Sequence, residues 1–521
     1  MVYKVYSGRV GGVFGDLITV EVDSSTGLPA FDMIGLLGSE VKEAKERVRV
    51  ALKNNGITLP AMRITVNLSP ADEHKSGAAF DLPIAVAILG VFNHIPLFEQ
   101  RKTLVIGELA LDGQIKSVKG IIPIVRMAKE RGFERVMLPL ENAREGSVIN
   151  GIDIVAVSTL SEAFAALSGN CFEVYRPPLD EKSPDTSEEL PDFDDIVGQE
   201  GAKRAAALAA AGFHHLLMTG PPGSGKSLIA KSLPSIMPKL SYEESLEISS
   251  IYSVMGLLNE KVPFITRRPF YSPHHSATLQ SLAGGGPNAS PGLVSLSHRG
   301  ILFLDEMPEF KRETIDMLRQ PLEDGKIMVS RARNNYTYPA KFMLVGAMNP
   351  CPCGYYPDRN RCTCTQAQIA KYLSKISGPV ADRIDICVEV LRMDPKDMAR
   401  AQIGAGVNKE SKGNAAELKE RIGDAIRRQK LRYKDENFKF NSHIPSSKTD
   451  KYVGLKESER DHAFSLYEKL GLSTRSFYKI LRVARTIADF EGEENVSERH
   501  LTEASCYRFP EYTGGSNGNI F

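Results

Sequence analysis

The chain has 521 residues, 42% of them hydrophobic, which is too long for one core and suited to about three globular units. Its 65 Lys and Arg offset 64 Asp and Glu to a net charge of +1, excluding a global field for nucleic acid or an anionic membrane, so any DNA contact is local. The N-terminal MVYKVYSGRVGG has no apolar signal core and the longest apolar run, Leu82 to Phe92, is too short to span a bilayer; a cytoplasmic location without a membrane partner is expected.

Residues 1–172 alternate β-rich stretches, such as Leu17 to Val22 and Arg63 to Leu68, with helical ones at Val41 to Asn54, Phe80 to Phe92 and Ile121 to Arg131. An independent α/β domain is expected there. The following RPPLDEKSPDTSEELPDFDD is rich in proline and acid and has too little apolar surface to pack, so 173–192 reads as a linker. From 193 to 395 helix and strand patterns alternate as a parallel sheet requires. Glycine and lysine in GAGVNKESKGN mark a mobile loop at 404–414; residues 396–510 read as a helical domain and 511–521 as a disordered tail.

Within 193–395, Leu216 to Ser227 reads LLMTGPPGSGKS, an apolar run entering a glycine loop. The spacing Gly220-x4-Gly225-Lys226-Ser227 fits a phosphate cradle for ATP. The loop is Gly220, Pro221, Pro222, Gly223, Ser224 and Gly225, whose glycines let backbone N–H groups turn toward the β-phosphate. Lys226 meets the β/γ charges and Ser227 holds Mg²⁺. Further on, the buried-strand run Ile301 to Leu304 ends in Asp305, a second Mg²⁺ group acting through water, and Glu306, which orients the attacking water. A third run, Phe342 to Met348, delivers Asn349 to the same sheet edge, its amide toward the γ-phosphate or the water. A strand-end asparagine alone is commonplace, but beside the other two motifs it indicates ATP hydrolysis.

Seven cysteines are present, and Cys351, Cys353, Cys362 and Cys364 fall within fourteen residues. Four thiolates suit a tetrahedral structural Zn²⁺ that fixes the loop after Asn349. The C-x-C step is tighter than the usual knuckle, which leaves a metal-free loop as the other reading. Cys171, Cys387 and Cys506 read as ordinary buried thiols. Asp324 to Tyr338 alternates as a β-hairpin carrying Lys326, Arg331 and Arg333, either a solvated hairpin or a contact for a nucleic acid backbone. Pro273-His274-His275 and the glycine-rich Ala283 to Pro287 suggest another loop, with no third metal ligand beside the histidines.

The strings DIVGQEGAKRA at 195–205, GPPGSGKS, FYSPHHSAT at 270–278, GILFLDEMPEF at 300–310, MNPCPCGYY at 348–356, SGPVADRIDI at 377–386 and STRSFYKILRVARTIADFEG at 473–492 resemble the magnesium-chelatase-like branch of AAA+ ATPases, specifically the ComM/YifB family. The resemblance implies a P-loop parallel-sheet core with a C-terminal helical lid. It implies that Arg383 is an arginine finger reaching a neighbouring subunit's γ-phosphate, so that hydrolysis needs a homo-oligomer, a hexamer. Arg475 matches sensor 2, Ile196 and Val197 match the adenine-side segment, and the hairpin with Lys326 lines a central pore. GELALDGQIKSVKGI at 107–121 and VMLPLEN at 136–142 resemble the proteolytic domain of Lon, an α/β fold like ribosomal S5 domain 2. Ala79 and Ile122 stand at its serine and lysine positions, so no acyl transfer is expected. By this resemblance the chain is a DNA helicase promoting branch migration in homologous recombination and natural transformation. Its partners would be single-stranded and branched DNA and recombination proteins. A magnesium-chelatase-type protein-remodelling ATPase and an ATP-dependent Lon-like protease are the alternatives.

Overall fold

The computed structural model describes residues 2–72, 74–75, 77–95, 102–169, 172–177, 190–286, 289–330, 335–392 and 414–508. Arg331, Arg333, Cys171, the loop at 404–414 except for its last residue, the tail and most of the linker lie outside the described residues. The chain forms two compact units: Met1–Thr186 with Ser241–Thr266, and Ser187–Leu240 with Arg267–Phe521.

The first unit is built on a seven-stranded mixed sheet, in the order Ala30–Ile34, Arg63–Ser69, Phe14–Ser25, Tyr3–Gly11, Thr103–Val105, Arg135–Pro139, Asp153–Val157. Alternation sets one face inward: Ile18, Val20 and Val22 are buried on one strand, Ile64, Val66 and Leu68 on its neighbour. The expected helices form as Ser39–Asn54, Asp81–Val91 and Ile121–Glu130. Asp81–Val91 is buried from Asp81 through Gly90, so its apolar run, too short for a bilayer, is a core helix of this unit.

The division differs from the expected 193–395 domain, because Ser241–Thr266 belongs to the first unit. Helix Tyr242–Met255 starts with a reciprocal capping box between Ser241 and Glu244. Leu246 and Leu258 join the apolar cluster of Ile121, Ile122 and Ile124. Ser253 carries the polar side of the join: its Oγ donates to Glu145 and accepts from the Ile122 N–H at 3.3 Å, and its carbonyl accepts from the Gly120 N–H at 3.0 Å. An amphipathic helix shows in its sequence that it packs, but not on which partner.

In the second unit five strands run parallel, in the order Phe270–Tyr271, Ile301–Leu304, Met343–Met348, Leu216–Thr219, Ile386–Glu389. The three central strands are buried along their whole length, as continuous apolar runs predict. Being parallel and in register, they end at one edge, where Gly220, Asp305 and Asn349 follow. Helices Asn414–Arg432, Ser446–Val453, Glu457–Lys469, Thr474–Glu491 and Glu498–Cys506 belong to the same unit, with Ile422, Leu481 and Ile487 in one cluster with Leu216 and Val345. A buried polar chain also joins sheet to helices: His214 contacts Asp385 at 3.1 Å and Thr486 Oγ1 at 2.8 Å. The Asp324 to Tyr338 hairpin forms as Lys326–Ser330 against Asn335–Pro339. The glycine-rich stretch is itself a small pairing, Gly284–Gly285 with Ser290–Pro291, where a β-carbon at Gly284 would stand 2.4 Å from Ser290 O. Cys387 is buried, but Cys506 is exposed, a correction to the reading of three buried thiols; it falls on the solvent side of its helix's last turn. Among the described residues no helix is long and apolar enough to cross a membrane.

Candidate nucleotide site and thiolate cluster

Strand Leu216–Thr219 runs into the glycine loop, and helix Lys226–Ile236 leaves it. Gly223 and Gly225 have φ of +75° and +95°, a conformation that side-chain-bearing residues resist, and no atom lies within 4 Å of where their β-carbons would be. The loop is thus bent back on itself with open space in front. Lys226 is buried, its Nζ donating to the carbonyls of Gly220 at 2.7 Å and Pro221 at 2.9 Å and to Asn349 Oδ1 at 3.4 Å. Burial pushes its ammonium below the usual lysine range, against the attraction of Asp305 and Glu306. Ser227 Oγ donates to Asp305 Oδ2 at 2.8 Å, and the buried Ser224 Oγ has no partner among the described residues.

These residues fit a nucleotide triphosphate with Mg²⁺. A cation resting on loop carbonyls, a hydroxyl paired to a carboxylate and an unpaired hydroxyl are groups that phosphate oxygens and a hard cation would take over. Asp305 Oδ1 accepts the Glu306 N–H at 3.0 Å, and Glu306, in a left-handed conformation with φ +48°, stands exposed beyond the strand. Ile196 is buried and Val197 is 42% exposed. Gln199, also left-handed at φ +58°, is a bridge the sequence did not reveal: its side-chain amide donates to Ser224 O at 3.3 Å and Leu391 O at 2.6 Å, tying the segment after Ile196 and Val197 to the glycine loop.

The two arginines gather elsewhere. Arg383, buried after the short helix Gly378–Ala381, donates to the Glu323 carboxylate and the Pro379 carbonyl, and its Nε has no partner among the described residues. The hydrogen bond from Arg383 holds the Glu323 carboxyl below the usual range, and the charges of Arg475 and Arg319 add to it. Arg475 is exposed in the first turn of Thr474–Glu491, whose N-cap Ser473 accepts from the Ser476 N–H at 3.2 Å. Arg383 and Arg475 therefore bear on one exposed carboxylate, whereas Lys226, Ser227, Asp305 and Asn349 form the set at the sheet edge. Glu323 had no signal in the sequence.

All four sulfurs of Cys351, Cys353, Cys362 and Cys364 lie within 4.8 Å of one another, with Cys351 3.3 Å from Cys353 and 3.8 Å from Cys362. A tetrahedron with Zn–S of about 2.3 Å has S···S edges of about 3.8 Å. Burial opposes ionisation of Cys353, but the Tyr355 N–H and the three neighbouring sulfurs outweigh it and bring that thiol to about 6. The rings of His274 and His275 are 4.0 Å apart and exposed, outside any group of metal-capable side chains among the described residues. Lys326 is exposed at the start of its hairpin. In the first unit Ala79 and Ile122 meet in one apolar cluster, offering neither nucleophile nor base there.

Three descriptions of the magnesium-chelatase subunit ChlI match the chain, at residues 20–142, 192–398 and, as its C-terminal part, 412–508. The uncharacterized protein YifB of Salmonella typhimurium is 40% identical over 97% of this chain and 96% of its own length. The competence protein ComM of Haemophilus influenzae is 37% identical over 97% of both. The magnesium-chelatase 38 kDa subunit of Rhodobacter capsulatus is 27% identical over 30% of this chain and 50% of its own.

Proposed function

Since the chain belongs to the ComM/YifB family of magnesium-chelatase-like proteins, we propose that it is an ATP-driven motor, assembled as a hexameric ring, that acts on DNA. The observation that carries the motor reading is the convergence of Lys226, Ser227, Asp305 and Asn349 at one sheet edge, with Glu306 exposed beside them. Mg²⁺–ATP supplies the phosphoanhydride bond and the metal that offsets its charge. Lys226 would bind β/γ oxygens, Ser227 and Asp305 would hold the metal, Asn349 would position the γ end, and Glu306 would orient and deprotonate the attacking water. Ile196, Val197 and Gln199 border the base. Arg383 would serve the nucleotide of a neighbouring subunit, and Arg475, as sensor 2, would report the nucleotide from the lid side.

The DNA substrate is supported by the family, one of whose members is named for competence; branch migration of recombining strands during natural transformation is the activity we assign. The first unit is read as a Lon-like domain without its catalytic pair, a scaffold and not a protease, and the four-cysteine loop as a structural zinc site. The test is unwinding of a forked DNA with ATP and Mg²⁺. Unwinding that is lost in Lys226→Ala is expected; casein cleavage without unwinding would reverse the assignment to a protease. Replacing Lys326, Arg331 and Arg333 together by alanine is expected to weaken DNA binding and lower its salt dependence by about three phosphate contacts, while basal ATPase is kept. Unchanged binding would remove the hairpin from the DNA path.

A further inference from the structure

We infer that the four-cysteine centre is a buttress of the nucleotide site, so that zinc occupancy sets nucleotide affinity; the inference rests on the zinc reading above. The loop from Cys351 to Cys364 has no helix or strand, only turns, such as the Gly354 N–H to Cys351 O at 3.0 Å and the Cys362 N–H to Asp358 O at 2.7 Å. Its apolar core is Cys351, Cys362, Cys364 and Ile369, with Cys353, Tyr356 and Leu373 only partly buried. One buried aliphatic side chain does not hold fourteen residues in place, and four thiols in mutual reach without a metal form no bonds strong enough to replace it. The shape of the loop therefore depends on what joins the sulfurs.

That shape reaches the phosphate cradle at two places. At the first, Gly354 lies flat against the glycine loop: a β-carbon there would be 2.7 Å from Pro222 Cδ and 3.8 Å from Asn349 Cγ, and φ is +85°. Pro222 is otherwise exposed, so this backbone is a support on its outer side. At the second, Asn349 is joined to the centre through the chain: it precedes Cys351 by two residues, and Gly354 of the same loop packs against its side chain. Asn349 in turn accepts from Lys226, the phosphate-binding cation. Fixing four sulfurs to one ion thus fixes Asn349 and Pro222 together, the pre-organisation that lets a loop bind phosphate without first ordering.

The experiment uses the full chain and a fluorescent ADP analogue, read beside zinc content by mass spectrometry and helicity by circular dichroism. As purified without chelators, the protein is expected to carry one zinc per chain; a content far below that overturns the zinc reading itself. Stripping zinc with a chelator and a thiol-capturing reagent is expected to weaken ADP binding at least tenfold with helicity kept, and adding Zn²⁺ after thiol release to restore it. Gly354→Ala is expected to keep its zinc yet bind ADP at least tenfold more weakly, because its methyl group displaces Pro222. Full ADP affinity in the stripped, folded protein, or in zinc-loaded G354A, would overturn the coupling while leaving the metal assignment intact. Should stripping unfold the chain, G354A alone decides.

Discussion

Glu306→Gln is expected to stop turnover and leave nucleotide binding within about threefold of the parent, with a fall in kcat of about 10²–10⁴, the range for losing a positioned proton acceptor. The side chain is exposed and, besides its backbone N–H on Asp305, bears on Lys226 only through its charge, so the substitution takes nothing from the core. The isosteric amide still orients a water but no longer accepts its proton. Lys226→Ala is the contrast, since it removes the buried cation that bridges Gly220, Pro221 and Asn349, and both binding and hydrolysis should go. Phosphate release and fluorescent-nucleotide titration on the two variants separate the roles. Hydrolysis by E306Q at the parent rate would mean that another group handles the water.

The parts of this site that were legible in the sequence are those fixed by local chain geometry. Leu216 to Thr219, Ile301 to Leu304 and Met343 to Met348 are uninterrupted apolar runs, and such runs, when parallel, must end side by side. The residue following each is then placed by the register and by nothing distant. The helix start at Ser473 and the hairpin from Lys326 were equally local. What escaped depends on surfaces that meet across long separations. Nothing within Tyr242 to Met255 says that Leu246 packs with Ile122 rather than with the sheet beside it in sequence. Cys506 lies one residue from Tyr507, which is partly buried, and helical phase alone turns the thiol outward. Arg383 reads as a free finger until Glu323, sixty residues earlier, is found holding it.

That contact sets the largest expected effect outside the phosphate cradle. Arg383→Ala should lower kcat by about 10³ or more, the loss typical of a transition-state arginine, while the same chain still binds ATP through an intact Lys226. If the arginine acts on the next subunit, each site is built from two chains, and a variant lacking the arginine complements one lacking the lysine. Mixing equal amounts of R383A and K226A, each inactive, should then restore about a quarter of parent ATPase, since in a head-to-tail ring about one site in four pairs an intact loop with an intact arginine. Glu323 makes the prediction sharper. In the isolated chain it neutralises Arg383 and also feels Arg475 and Arg319, so it is the carboxylate that a neighbour's phosphates would have to displace. Glu323→Gln weakens that hold and should raise basal ATPase at limiting protein concentration, where assembly governs the rate. An arginine acting within its own chain gives no rescue on mixing, and its variant's defect would not depend on protein concentration.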